Sequence, residues 1–448
     1  MAPNPKNPSA ASLSLFQLLD PAVLSDPYPL YRSLREHDPV HWDAYLHCWV
    51  VTSYPEVVAV LTKYSADRTP TPAQMEALGL TEMKPFAEMM VQQMLFADAP
   101  AHTRLRTLCS AAFTPRRVEG LRGDIEGIVN SLIDDVIESG TMEVIGDFAN
   151  AFPAIVTARL LGVPTRDWEQ LKSWSADFAE LLGNFQHNPD RVAKVLRSLA
   201  DLEEYVRDKI HQPSAETRAG LIGSLLGAEV DGGKLTEAEV VASTIVTMVG
   251  GQETTTNLIG NGLYTLLKKP DCLAELRDGL EADPEMIGPA VEELLRYESP
   301  SQHTARIAKE DVVLGGKSIK KGAAVMAVMA AANRDPNRFP DPDRLDLRRA
   351  DNRHVAFGWA AHYCFGAPLA RLEGAIAFRI LLKRLKNPKL EDANPVWRGN
   401  TGLRGLTSLR IRFEPGQRLG HSVAEEIPLA ATVGCAPAPR CPFPHAKA

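Results

Sequence analysis

The chain lacks the features that mark several broad classes of protein. Cysteine is scarce: Cys48, Cys109, Cys272, Cys364, Cys435 and Cys441 are scattered over 448 residues. That is too few to staple a chain of this length, and it fits a reducing, cytoplasmic setting in which one cysteine is functional and the others inert. Positive charge is not in excess. Lys and Arg number 49 against 56 Asp and Glu, a formal net charge of −7, which speaks against a general nucleic-acid binder. The stretch Met1–Leu13 is rich in Pro, Asn and Ser and has no long apolar run, so neither a secretory leader nor a membrane anchor is expected there. No internal repeat is visible, and no linker divides the first 415 residues.

What is present is an ordinary globular composition, 45% hydrophobic and 23% charged, set mainly in helical periods. Strand-like runs occur at Val40–Trp42 and Cys48–Tyr54, followed by a helix over Pro55–Lys63. Asp67–Ala101, with several prolines and Met75, Met83, Met89, Met90 and Met94, reads as a long connection holding short helical pieces. Ile125, Ile128, Val129, Leu132, Ile133 and Val136 follow a helical stripe that Gly140 stops. Thr304–Val328 is strand-rich, with a hairpin turn at Gly315-Gly316. The longest helix runs from Thr236, which forms a capping box with Glu239, to about Lys269 before Pro270; at 1.5 Å per residue it spans roughly 50 Å. The expected architecture is mainly α with small β-sheets. A flexible N-terminal segment (1–25) precedes one large unit (26–415), and a weakly ordered Pro/Ala-rich tail (416–448) follows.

Chemistry concentrates in two places. The first is His354-Val-Ala-Phe357-Gly358-Trp-Ala-Ala-His362-Tyr-Cys364-Phe-Gly366-Ala-Pro-Leu-Ala-Arg371. A cysteine opening a helix has its thiolate stabilised by free N–H groups, and Gly358 and Gly366 let the backbone close on the sulfur. A lone cysteine is ordinarily a buried structural residue, but here four other positions stand in register with it. The second is Gly250-Gly251-Gln252-Glu253-Thr254-Thr255-Thr256, in the middle of the longest helix. Two interior glycines cost about 1 kcal/mol each relative to alanine, so the segment needs room and hydroxyls there. Alone, it is equally compatible with a solvent-facing Glu253 and threonines bonded back to their own helix.

The first segment resembles the haem-binding loop of the cytochrome P450 family, Phe-Gly-x-Gly-x-His/Arg-x-Cys-x-Gly, and the second is similar to that family's central-helix motif. The likeness runs from Asp26 to Phe413, includes Asn333-Arg-Asp-Pro336, and implies the cytochrome P450 fold. One position departs: Ala360 stands where the family has its second glycine, with Trp359 beside it as a shield for the sulfur face. The resemblance implies Cys364 as axial ligand of a haem b iron, with Phe357 in the same loop and Gly250 leaving space for dioxygen. Thr254 and Glu253 are the implied catalytic residues, a hydroxyl beside the oxygen site and a proton relay. His102 and Arg106, four apart on one helix face, with Arg306 and His362, are the implied propionate ligands. Glu293-Leu-Leu-Arg296, by itself an ordinary surface pair, would form a buried structural network with Arg344.

The implied activity is a haem-thiolate monooxygenase that inserts one atom of O2 into a hydrophobic organic substrate. Its electrons would come from a separate ferredoxin and ferredoxin reductase, docking near Arg104, Arg116, Arg117 and Arg353. The expected cavity is lined by the methionine-bearing segment, Ile245, Met248 and Val249, roofed by Phe178, Leu181, Leu182 and Phe185, and rimmed by Gln302 and Leu403. Three other readings stay open: a peroxide-driven peroxygenase, a non-catalytic haem-binding protein, and a haem-free helical interaction protein. Cys435, Cys441 and His445 have spacing that would admit zinc, or a second haem at Cys441-Pro442, although a disordered tail is the simpler reading.

Overall fold

The structure, a computed structural model, describes residues 13–68, 71–77, 79–181 and 189–420. Strands β1 (Val40–Asp43) and β2 (Cys48–Val51) pair antiparallel. Strand β2 stops short of Tyr54 because Pro55 suits the first turn of helix α1 (Tyr54–Lys63) and Asp335 takes the Tyr54 N–H at 2.8 Å. Part of the segment expected to be flexible is folded onto this sheet. Leu15 and Leu18 are buried, and the Asp43 carboxylate accepts from the Ser14 hydroxyl and the Leu15 N–H. The start of the presumed tail is anchored too, since Gly416 donates to the Ile137 carbonyl and Leu419 to Asp134. Cys435, Cys441 and His445 lie outside the described residues.

The methionine-bearing connection consists of helical pieces at Pro72–Ala77, Lys84–Met90 and Met94–Phe96, with Met75, Met89, Met90 and Met94 buried. Helices α2 (Ala101–Ala112) and α3 (Arg122–Asp134), strand β3 (Thr141–Glu143), and helices α4 (Ala151–Leu161), α5 (Trp168–Ala179) and α6 (Pro189–His211) follow. The stretch Val144–Leu161 is long and apolar enough to cross a membrane, but 78% of it is buried inside the fold, as in a core helix.

Helix α7 (Glu237–Leu267) opens on the expected capping box, with the Thr236 hydroxyl and the Glu239 carboxylate each accepting the other's N–H. Its 31 residues are mostly buried, yet Val246, Thr247, Gly250, Gly251 and Thr254 keep accessible surface. At helical spacing these five form one stripe, so the middle of a core helix faces a cavity.

Helix α8 (Ile287–Tyr297) leads to strands β4 (Thr304–Ile307), β5 (Val312–Leu314), β6 (Lys317–Ile319) and β7 (Ala324–Ala327). The mixed sheet runs β1-β2-β7-β4, with only β2 and β7 parallel. The β5–β6 hairpin turns on Gly315 and Gly316 at φ 54° and 77°, where glycine avoids the left-handed penalty. Helix α9 (Ala367–Arg384) then packs on α7, and strands β8 (Lys386–Leu390) and β9 (Arg410–Glu414) join β3 in a second sheet.

A Cβ at Gly262 would come within 2.5 Å of Phe378 and one at Gly374 within 3.1 Å of Leu258, while Thr255 reaches Glu373. Positions rise together along the two helices, so they run parallel. The loop that precedes α9 therefore lies on the side of the 246–254 stripe.

Candidate active site

Cys364 is held by its own loop. Its N–H donates to the Phe357 carbonyl at 2.7 Å, and the N–H groups of Gly366 and Ala367, at the head of α9, reach its sulfur. Burial pushes the thiol up, against those two donors and the Arg106 guanidinium, which favour thiolate. The sulfur is enclosed by protein while the residue keeps accessible surface, so it faces an internal cavity. Gly358 sits at φ 71° and Ala360 at φ 54°. The position where alanine replaces the motif's glycine is thus left-handed, and alanine is strained there by roughly 1 kcal/mol. Trp359 packs against the cluster that contains Val57, Val60 and Leu61.

Gly250 belongs to the accessible stripe of α7. A Cβ there would meet nothing within 4 Å. One turn on, the Thr254 hydroxyl donates to the Gly250 carbonyl at 2.7 Å. Glu253 turns away from that stripe and is 1% exposed, bonded to Lys172 of α5 and to Arg398. Burial disfavours its charge, but the two cations outweigh burial and hold the carboxyl below its usual range. Lys172 and Arg398 also line a surface hollow of about 440 Å³ with Trp168, Glu169 and Ser173. A second acid, Glu373 of α9, is buried, with the Thr255 hydroxyl as its hydrogen-bond partner among the described residues, and burial pushes its carboxyl well up.

The predicted anion clamp assembles from three parts of the chain. The rings of His102 of α2 and His362 lie with centroids 4.1 Å apart, tilted by 43°. Burial, His102 and Arg306 push His362 down to about 3. Arg306 of β4 donates to Thr304 and to the Ala305 carbonyl, while its Nε and the His102 Nε2 have no partner among the described residues. Arg106 donates to the Tyr363 carbonyl at 2.9 Å and lies over the Phe365 ring. Arg68, which no motif singled out, stands close enough to Arg306 to be lowered by it, and it adds a small share to the lowering of His362.

A family model described as Cytochrome P450 matches residues 44–282 and 285–402. The Biotin biosynthesis cytochrome P450 of Bacillus subtilis strain 168 is 38% identical over 396 residues, covering 87% of this chain and 97% of the relative. Cytochrome P450 monooxygenase PikC of Streptomyces venezuelae is 38% identical over 411 residues, 89% of this chain and 93% of its own. The chain belongs to the cytochrome P450 family. Among solved structures, P450BioI in complex with a hexadec-9Z-enoic acid-ligated acyl carrier protein superposes with a TM-score of 0.80 at 37% identity, covering 88% of this chain and 99% of that one. As a cytochrome P450 this protein is a haem-iron oxidoreductase with monooxygenase relatives, and the expected mainly α fold is the one observed. Its residues fit the haem. The His102 and Arg306 nitrogens that have no partner among the described residues suit propionates, a thiol with two N–H donors suits iron, and a Cβ at Gly250 would meet nothing within 4 Å.

Other expectations need correcting in this cytochrome P450. Glu293 and Arg296 are fully buried and doubly bonded, as the motif implied. Their third partner is Arg349, 9% exposed and 3.1 Å from Glu293; the Arg344 side chain is 68% exposed and faces Asp346. Only the Arg344 carbonyl joins the network, because the chain turns at Asp341, at φ 47°, and carries the side chain outward. Of the presumed basic patch, Arg104, Arg116 and Arg353 are exposed, with Arg104 paired to Glu239 and Arg353 to Asp351, while Arg117 is half-buried and bonded to Ser224. Gln302 is buried and bonded to Tyr31 and the Ser299 carbonyl, so it is a core residue; Leu403 bridges to Ser301. Phe178 packs against Phe86 at 5.5 Å, whereas Leu182 and Phe185 lie outside the described residues. His354 and Arg371 share Glu292, and Arg371 lies over the Phe357 ring. Burial opposes the Glu292 charge, but Arg371 and His354 hold it down at about 2.

Proposed function

We propose that the protein is a haem-thiolate monooxygenase in which residues 26–415 form one unit that would enclose haem b, with the Cys364 thiolate as the ligand that would hold its iron. The observation that carries this reading is the pairing of an enclosed sulfur, bonded by the Gly366 and Ala367 N–H groups, with the accessible stripe around Gly250. The haem, when bound, supplies oxygen activation, and thiolate donation favours O–O cleavage. His102, Arg106, Arg306 and His362 would hold the propionates, and the Phe357 carbonyl fixes the Cys364 N–H. Gly250 would leave space for dioxygen. The Thr254 hydroxyl, now bonded to the Gly250 carbonyl, is the donor to the oxygen site. Glu253 draws protons from water in the hollow beside Lys172 and Arg398, and passes them on by exchanging one of those partners for the Thr254 side.

The accessible stripe carries the apolar side chain of Val246, with Ile245, Met248 and Val249 buried beside it rather than facing the cavity, and this apolar setting supports a hydrophobic substrate. The relatives' names favour fatty acyl or polyketide chains among such substrates, and electrons come from a ferredoxin and its reductase in the cytoplasm. The test is the carbon-monoxide difference spectrum of the dithionite-reduced protein beside Cys364→Ser. A Soret band at the red-shifted position of thiolate-ligated haem, lost in the variant, is expected. A histidine-type band in both proteins, or no haem band in either, would overturn the assignment.

A further inference from the structure

Arg68 stands in the propionate cluster for reasons of backbone geometry. The chain just before it is fastened to β4, with Ser65 and Ile307 exchanging both backbone bonds at 2.8 and 3.0 Å. That pairing brings Arg68 alongside the strand that carries Arg306. The guanidinium lies 4.6 Å from the centre of the Phe96 ring, and one N–H donates to the Ala66 carbonyl at 3.1 Å. Four more N–H groups remain on an arginine. Burial, with Arg306 beside it, pushes Arg68 down to about 9. The nearby acid, Asp98, is already used: its carboxylate accepts from the Ser65 hydroxyl, the Ala66 N–H and Lys309.

Charge counting makes the residue informative. Arg68, Arg106 and Arg306 are three cations, Lys309 balances Asp98, and the two histidines are held neutral by burial and by their cationic neighbours. A haem brings two propionates to this cluster. Among the described residues no carboxylate is paired with Arg68; an enclosed guanidinium in that position is costly, and one ring face compensates it only in part. The fork of an arginine matches a carboxylate bidentately.

We propose that Arg68 is a carboxylate-binding residue at the propionate edge of the cavity, taking either a haem propionate or the carboxylate end of a long-chain acidic substrate. The proposal rests on the haem reading above and adds to it a residue outside every motif.

The test uses the full-length, haem-loaded protein, Arg68→Gln and Arg68→Lys. Haem loss is timed by transfer to apomyoglobin, and hexadecanoic acid and hexadecan-1-ol are titrated by the Soret shift. If a propionate is the partner, Arg68→Gln loses haem about tenfold faster or more, the scale of one charge-assisted contact, and Arg68→Lys recovers part of it. If substrate is the partner, haem loss is unchanged while the preference for acid over alcohol falls about tenfold. Arg68→Gln that matches wild type in both measurements overturns the proposal while leaving Cys364 ligation intact. Wild-type protein without a thiolate-type carbon-monoxide band overturns the haem reading instead, before any variant is compared. Arg68→Lys keeps the charge, so it reports even where Arg68→Gln folds poorly.

Discussion

Glu253 is the residue whose environment departs most from what a motif conveys, and its ion pair with Lys172 is open to a quantitative test. Glu253 is 1% exposed and Lys172 12%, so solvent screens the pair little. At an effective dielectric near 20, two charges about 3 Å apart attract by roughly 5 kcal/mol. Desolvation of both ions removes several kcal/mol of that, leaving a coupling of about 2 kcal/mol. Lys172→Met, Glu253→Gln and the double variant form a cycle whose denaturant midpoints should depart from additivity by that amount. Arg398 remains bonded to Glu253 when Lys172 is removed, so Lys172→Met alone should cost about 2–3 kcal/mol, less than full isolation of a buried charge. The pH dependence adds a sign. The Glu253 carboxyl lies below its ordinary value of 4.5, so its contribution is complete above the unfolded value and fades as pH falls through the folded one. The stability gap between wild type and Glu253→Gln should be full at pH 7 and shrink below about pH 4.5. Additivity within about 0.5 kcal/mol, or a gap that does not change on acidification, would refute the argument that Glu253 is charged and coupled.

Three further outcomes are expected. Arg349→Met should destabilise by about 3 kcal/mol or more, because it strips a cation from fully buried Glu293, whereas Arg344→Ala should stay within about 0.5 kcal/mol; matched thermal melts of the two variants decide it. Ala360→Gly should stabilise the holoprotein by about 0.5 kcal/mol, since relief of left-handed strain near 1 kcal/mol is partly offset by unfolded-chain entropy; a loss above 1 kcal/mol in denaturant titration would contradict strain there. Thr254→Ala should uncouple NAD(P)H oxidation from product formation while peroxide-driven turnover falls far less. Equal loss of both, measured side by side, removes the donor role assigned to the hydroxyl.

How much of this was legible in the sequence follows from how far apart the cooperating residues stand. The Cys364 loop is local: Phe357, Gly358, His362 and Gly366 share one backbone excursion, so a spacing pattern captures nearly all of its geometry. The capping box of α7 and the Gly315-Gly316 hairpin were readable for the same reason. Departures began where a partner comes from another element. Lys172 is 81 residues from Glu253 and Arg398 is 145 away, and no pattern in a single chain ties such residues together. The buried pair of Glu293 and Arg296 shows where the boundary lies. Physical chemistry requires an acid bonded to one arginine in a dry core to find further donors, and the spacing placed the pair on one helix face. Which neighbouring arginine turns inward depends on the positive φ at Asp341 and on the turn that carries Arg344 outward and Arg349 inward. That is a property of the folded backbone, so two arginines five residues apart exchange roles with no change in local pattern. Arg68 follows the same logic in reverse. An unremarkable arginine after Asp67 gains its chemical setting only because Ser65 pairs with Ile307 and draws it beside Arg306.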